Sequence, residues 1–114
     1  MPEAVAVTLL FSSACPSHEE GLQRLREAAR DAGVALRLEV HEVLDDDEAE
    51  RRRFPGSPTY LVAGADLAPL PEGIPFAAEA CRPYSLPDGR IGPLPDRAQL
   101  ADALRSAAGA ERAA

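Results

Sequence analysis

The chain has 114 residues, 46% hydrophobic and 27% charged, which fits one soluble domain around a single core and leaves no room for two. A domain of this size buries roughly two-thirds of its unfolded surface without needing a covalent or metal staple, so fold stability alone does not account for the two cysteines. Twelve basic residues, all arginine, against nineteen acids give a net charge of -7, a balance that repels phosphate backbones and anionic lipid and excludes nucleic acid and a membrane surface as expected partners.

No apolar run approaches the ~20 residues of a membrane span. The start MPEAVAVTLL lacks the basic residues and small-residue cleavage site of a secretory signal, so a cytoplasmic location is expected. Cys15 and Cys81 are too few for a disulfide scaffold or a four-thiolate metal centre. Any chemistry on sulfur must come from one reactive thiol or from one pair.

In chain order, Val5 to Phe11 is apolar on both alternating faces, the pattern of a central strand covered on both sides. Pro16 sits where a first helical turn tolerates it, Glu19 and Glu20 follow, and Leu22, Leu25, Ala29 and Ala32 recur at helical spacing. The spacing predicts a helix from about Pro16 to Ala32, closed by Gly33. Val34, Leu36, Leu38 and Val40 alternate with polar or small residues, which predicts an edge strand with one wet face. Asp45 followed by Glu48 is a capping signal for a short helix through Arg53, ended by Phe54-Pro55-Gly56.

Thr59 to Val62 reads as a strand with Pro58 at its start, where no ladder N–H is needed. Residues 64–80 carry prolines and glycines at a density that predicts an irregular covering loop. Cys81 to Leu86 is expected as a return strand, Pro87-Asp88-Gly89 as a turn, and Asp96 as the cap of a last helix bearing a Leu100, Ala103, Leu104, Ala107 stripe. One domain over residues 1–108 and a frayed tail over 109–114 follow. The order β-α-β-α-β-β-α implies an α/β sandwich around a small mixed sheet.

Cys15 lies just past the central strand and just before a helix N-terminus, the edge of an open α/β sheet where unpaired N–H groups and a partial positive charge stabilise a thiolate. Lowering its pKa from about 8.5 to about 6.5 would raise the thiolate fraction at pH 7 from roughly 3% to roughly three-quarters. Pro, Ser and His beside it describe a partly open loop, whereas an inert buried cysteine is the structural alternative.

Cys15-Pro16-Ser17-His18 after an apolar strand, with Gly56-Ser57-Pro58-Thr59 opening a later one, resembles the thioredoxin superfamily over about residues 4–107. The resemblance implies a thioredoxin-like sandwich, a catalytic Cys15 and a cis-proline at Pro58. It also implies that Ser57 offers its backbone to a thiol or disulfide substrate, with Pro16 and Ser17 on the opposite rim. No cofactor is implied. His18 stands where that family has its second cysteine, so a dithiol cycle inside the motif is impossible. Helical spacing lets His18 approach Cys15 as an imidazolium favouring the thiolate; a solvated histidine in an acidic first turn is the alternative.

Cys81 is the candidate for a distant resolving thiol, or else a small apolar residue packed at a strand start. A simple return strand would begin far from Cys15 unless the long loop brought Cys81 back over the site. Gly56-Ser57-Pro58-Thr59 followed by Cys81-Arg82-Pro83-Tyr84 also resembles small thioredoxin-like proteins labelled as related to organomercurial lyases, and two thiolates suit a soft metal. No carboxylate matches the acid of that lyase chemistry.

His18, His41 and the cysteines have no compact zinc spacing, so no resident metal is expected. No phosphate loop, serine-histidine-acid set or dinucleotide fingerprint is present. The expected function is a thiol-dependent redox protein using Cys15. The alternatives are a soft-metal or organomercurial dithiol site and a non-catalytic thioredoxin-like binding module. The oligomeric state is open.

Overall fold

The computed structural model describes residues 4–68, 70 and 72–113, with the side chains of residues 111–113 left out. Pro69 and Pro71 of the expected covering loop, and Ala114 of the expected tail, lie outside the described residues. The described elements are β1 (Ala4–Phe11), α1 (His18–Ala32), β2 (Ala35–Glu42), α2 (Asp46–Arg52), β3 (Thr59–Val62), β4 (Ala65–Asp66), β5 (Tyr84–Ser85), β6 (Ile91–Gly92) and α3 (Arg97–Ala113).

A four-stranded mixed sheet runs β2-β1-β3-β4, with β2 parallel to β1, and β3 antiparallel to both β1 and β4. The α/β sandwich and the central place of β1 follow from its two apolar faces. Val5, Val7 and Leu9 point into a core shared with Leu25 and Ala28 of α1, Leu100 and Leu104 of α3, and Tyr60 of β3. Leu10 points the other way, into a second core with Val43, Ala49, Phe54 and Ala78. The period of two thus feeds two separate cores from one strand. Because β2 is an edge strand, its outer residues stay wet, and Val40 is exposed.

The helix ends have identifiable causes. Gly33 adopts the left-handed conformation and its N–H satisfies the last carbonyls of α1. Asp45 accepts from the Glu48 N–H at 2.8 Å and caps α2. Glu48 in turn accepts from the Leu44 N–H, His41 and Arg52, and these contacts, the Leu44 N–H foremost, hold its carboxyl down at about 2. Asp96 accepts from the Ala98 N–H and starts α3.

Three expectations are corrected. The fourth strand of the main sheet is Ala65–Asp66, inside the stretch expected to be wholly irregular. Only Tyr84–Ser85 of the expected return strand is extended, and it pairs with Ile91–Gly92 in a separate two-stranded sheet. Proline and glycine around these residues restrict each pairing to two residues, too short to show as alternation. The residues expected as a frayed tail continue α3 to Ala113, since the alanines flanking Gly109 supply enough helix propensity to carry one glycine.

One glycine inside α1 is set by packing. A Cβ on Gly21 would stand 2.7 Å from the Tyr60 hydroxyl and 3.3 Å from Pro58 Cγ. Its absence lets α1 settle on the start of β3, where Tyr60 donates to the Gly21 carbonyl at 2.9 Å.

Candidate functional site

The sheet topology explains which residues meet. Because β3 runs antiparallel to β1, with Thr59 opposite Leu10, the start of β3 lies beside the C-terminal end of β1. The turn leaving β1 carries Cys15, and the turn entering β3 carries Ser57 and Pro58, joined by a cis peptide bond. Cys15 Sγ lies 3.7 Å from the Ser57 carbonyl oxygen. Since β4 runs antiparallel to β3, the chain after it heads back toward this same edge and delivers Cys81.

Cys15 and Cys81 form a disulfide, with Cα atoms 5.8 Å apart across a sequence separation of 66. The long loop therefore does what a simple return strand could not. Its last residues add to the site edge: Ser57 donates its N–H to the Ala80 carbonyl at 2.8 Å and accepts from the Arg82 N–H at 3.1 Å. These two bonds form a parallel bridge between Ser57 and Cys81.

Noncovalent contacts hold this segment as well. Arg82, 5% exposed, makes a two-pronged ion pair with Asp66 at 2.8 and 2.9 Å, donates to Thr59 Oγ1, and lies over the Tyr84 ring. Such planar, paired contacts are the geometry a guanidinium supports best. The Tyr84 hydroxyl donates to the Pro58 carbonyl, and burial raises the pKa of the phenol, which keeps it a neutral donor. Further back, the Ala78 N–H donates to Asp46, and Arg53 stands over the Phe76 ring.

Cys15 itself is 3% exposed, whereas Cys81 is exposed. This corrects the expectation of an open Cys15. Ser13, Ala14 and Pro16 around it do face solvent, but the returning segment covers the sulfur. Ser57 and Pro58 are buried, Ser17 is half-buried, and the backbone of Ser57 is already engaged by residues 80–82. The Ser57 hydroxyl is buried and has no hydrogen-bond partner.

His18 is brought near Cys15, but its ring faces the backbone: Nδ1 lies 3.3 Å from the Cys15 carbonyl oxygen, and the ring stacks on Phe11 with centroids 4.4 Å apart. His41 belongs elsewhere, on Glu48. Among the described residues, no group of three or more His, Cys, Asp or Glu side chains is placed to hold a metal ion, and no helix is long and apolar enough to cross a membrane.

Arg82 and Tyr84 figure in the sequence only as part of the Cys81-Arg82-Pro83-Tyr84 motif, and Asp66 not at all; their site-building contacts become visible only in the fold. The available signal was faint: an arginine set between cysteine and proline in an otherwise uncharged stretch. Gly56, expected from the sequence as a helix stop and as part of its own motif, also builds the site. At φ +154, a Cβ there would stand 2.7 Å from the Arg82 nitrogen and 2.8 Å from the Cys81 carbonyl carbon. Both are backbone atoms, so they cannot swing aside. Gly56→Ala is expected to cost about 1–3 kcal/mol from backbone strain and to slow closure of the disulfide, read by urea denaturation and by the rate of thiol loss during air oxidation.

Compared with known proteins, the chain matches no family model, no curated protein and no solved structure.

Proposed function

We propose that the chain is a thioredoxin-like thiol–disulfide redox protein in which Cys15 and Cys81 interconvert between dithiol and disulfide. The carrying observation is the disulfide at the C-terminal end of the central strand, closed by a segment that other contacts already hold in place. Support for the thioredoxin-like assignment comes from the strand order β2-β1-β3-β4, from α1 following Cys15, and from the cis Ser57-Pro58 peptide beside it. His18 replaces a second motif cysteine, so Cys81 acts as the partner thiol. A thiol or disulfide compound is the substrate, and two electrons pass by exchange through a mixed disulfide.

Packing around Cys81 favours a cycling bond over a mere staple. With Arg82, Tyr84 and the Ser57 bridge intact, the two sulfurs stay adjacent after reduction and re-form the bond at high effective concentration. The same adjacency favours a second reading: the reduced pair offers two thiolates to a soft, linearly coordinated cation, whose chemistry would be binding rather than electron transfer.

Incubation of the native protein in graded mixtures of reduced and oxidised dithiothreitol, followed by iodoacetamide and mass spectrometry, tests the redox reading. The expected result is a reversible two-electron transition between no adducts and two, lost in Cys15→Ser and in Cys81→Ser. A bond that opens only when the protein is unfolded would overturn the proposal.

A further inference from the structure

We infer that exchange enters this disulfide at Cys81, and that the buried Cys15 is the departing sulfur. The inference rests on the redox reading above and assigns the two sulfurs opposite roles. Cys15 is 3% exposed and its turn is sealed by residues 80–82, which use both backbone hydrogen-bonding groups of Ser57. An extended thiol-bearing chain has no free backbone at Ser57 on which to dock. Cys81 is exposed and lies in an open cleft with Pro83, Ile91 and Pro93.

Pro83 and Ile91 also line a neighbouring, mostly apolar cavity of about 450 Å³ together with Leu70, Ile74 and Tyr84, with Arg82, Ser85 and Gln99 as its polar lining. Ile91 is 65% exposed at the junction. The Arg82 guanidinium is committed to Asp66 and Thr59, so it presents no free charge to an incoming group. The entrance therefore suits an uncharged thiol carrying an apolar group, and the overall charge of -7 disfavours anionic thiols further.

The exchange proceeds in two displacements. An external thiolate attacks Cys81 Sγ, the bond between the protein sulfurs breaks, and its electron pair leaves on Cys15 Sγ. A second external thiolate attacks the external sulfur of the mixed disulfide, which releases an oxidised external disulfide and the Cys81 thiolate. Two external thiols are oxidised, the protein disulfide is reduced, and the protons the external thiols lose are taken up by the protein thiols. Cys15 is suited to depart because it lies just ahead of the α1 N-terminus.

Reduced Cys15→Ser and reduced Cys81→Ser, each with one thiol left, are mixed with 4,4'-dipyridyl disulfide, an uncharged aromatic probe, and thiopyridone release is followed at neutral pH. Capture by Cys81 in Cys15→Ser is expected to be faster by on the order of tenfold or more, the direction set by access. Ile91→Glu added to Cys15→Ser places a charge at the entrance without touching a core, and is expected to slow capture. Equal rates, or faster capture by Cys15 in Cys81→Ser, would overturn the assignment while leaving a reversible wild-type transition in dithiothreitol intact. Loss of that transition would strike the redox reading instead. Circular dichroism confirms that each variant compared is folded.

Discussion

Reduction of the Cys15–Cys81 disulfide is expected to lower the free energy of unfolding by about 4 kcal/mol, the chain-entropy value for a loop of this length. The bond ties residues 66 apart in sequence, so the oxidised unfolded chain is far more restricted than the reduced one. Urea denaturation with and without reductant should show the difference as a lower midpoint. The double variant Cys15→Ser with Cys81→Ser should show the same loss with no reductant present. By the same thermodynamic cycle, whatever the bond adds to folding, folding adds to the bond. About 4 kcal/mol corresponds to roughly a thousandfold preference for the disulfide in the folded over the unfolded chain. A midpoint that does not move on reduction would contradict this linkage.

The reduced protein is nevertheless expected to remain folded with residues 80–84 in place, because the sheet edge holds them by independent contacts. Arg82 dominates these. Arg82→Met would leave the Asp66 carboxylate partly buried without its partner, a loss of about 3 kcal/mol, at the low end for a broken buried pair because Asp66 keeps some contact with water. The double variant Arg82→Met with Asp66→Leu should recover most of that loss, since an apolar pair removes the orphaned charge along with the attraction. Re-oxidation of the dithiol should be slow in Arg82→Met and remain slow in the double variant, because neither retains the bonds to Thr59 Oγ1 and to Asp66 that orient the backbone beside Cys81. Unfolding curves together with thiol titration during air oxidation separate the two effects. If the double variant were as unstable as Arg82→Met, packing rather than charge pairing would be the source.

Much of the architecture was legible because it is local. The two apolar faces of Val5–Phe11, the alternation through Leu36, Leu38 and Val40, and the caps at Gly33, Asp45 and Asp96 each depend on residues within a few positions of one another. Repeating periods and capping side chains carry that information in the chain itself. Where pairing involves only two residues, as in Ala65–Asp66 and Tyr84–Ser85, no period exists to be read. The region after Gly64 consequently concealed a sheet strand within an expected loop.

The site divides along the same line. That Cys15 follows a central strand and precedes a helix, that His18 occupies the position three residues later, and that Ser57-Pro58 opens another strand were all determined by sequence. Local order alone places those groups at one end of the sheet once β3 turns antiparallel to β1. Which sulfur faces water was decided only by the tertiary structure. It depends on where a segment more than sixty residues downstream comes to rest, and that is fixed by a buried arginine finding its carboxylate, a phenol finding a carbonyl, and a glycine leaving room for a backbone to pass. Contacts between residues so distant leave no spacing in the chain, because the loop between them is free to take many paths until burial and pairing select one.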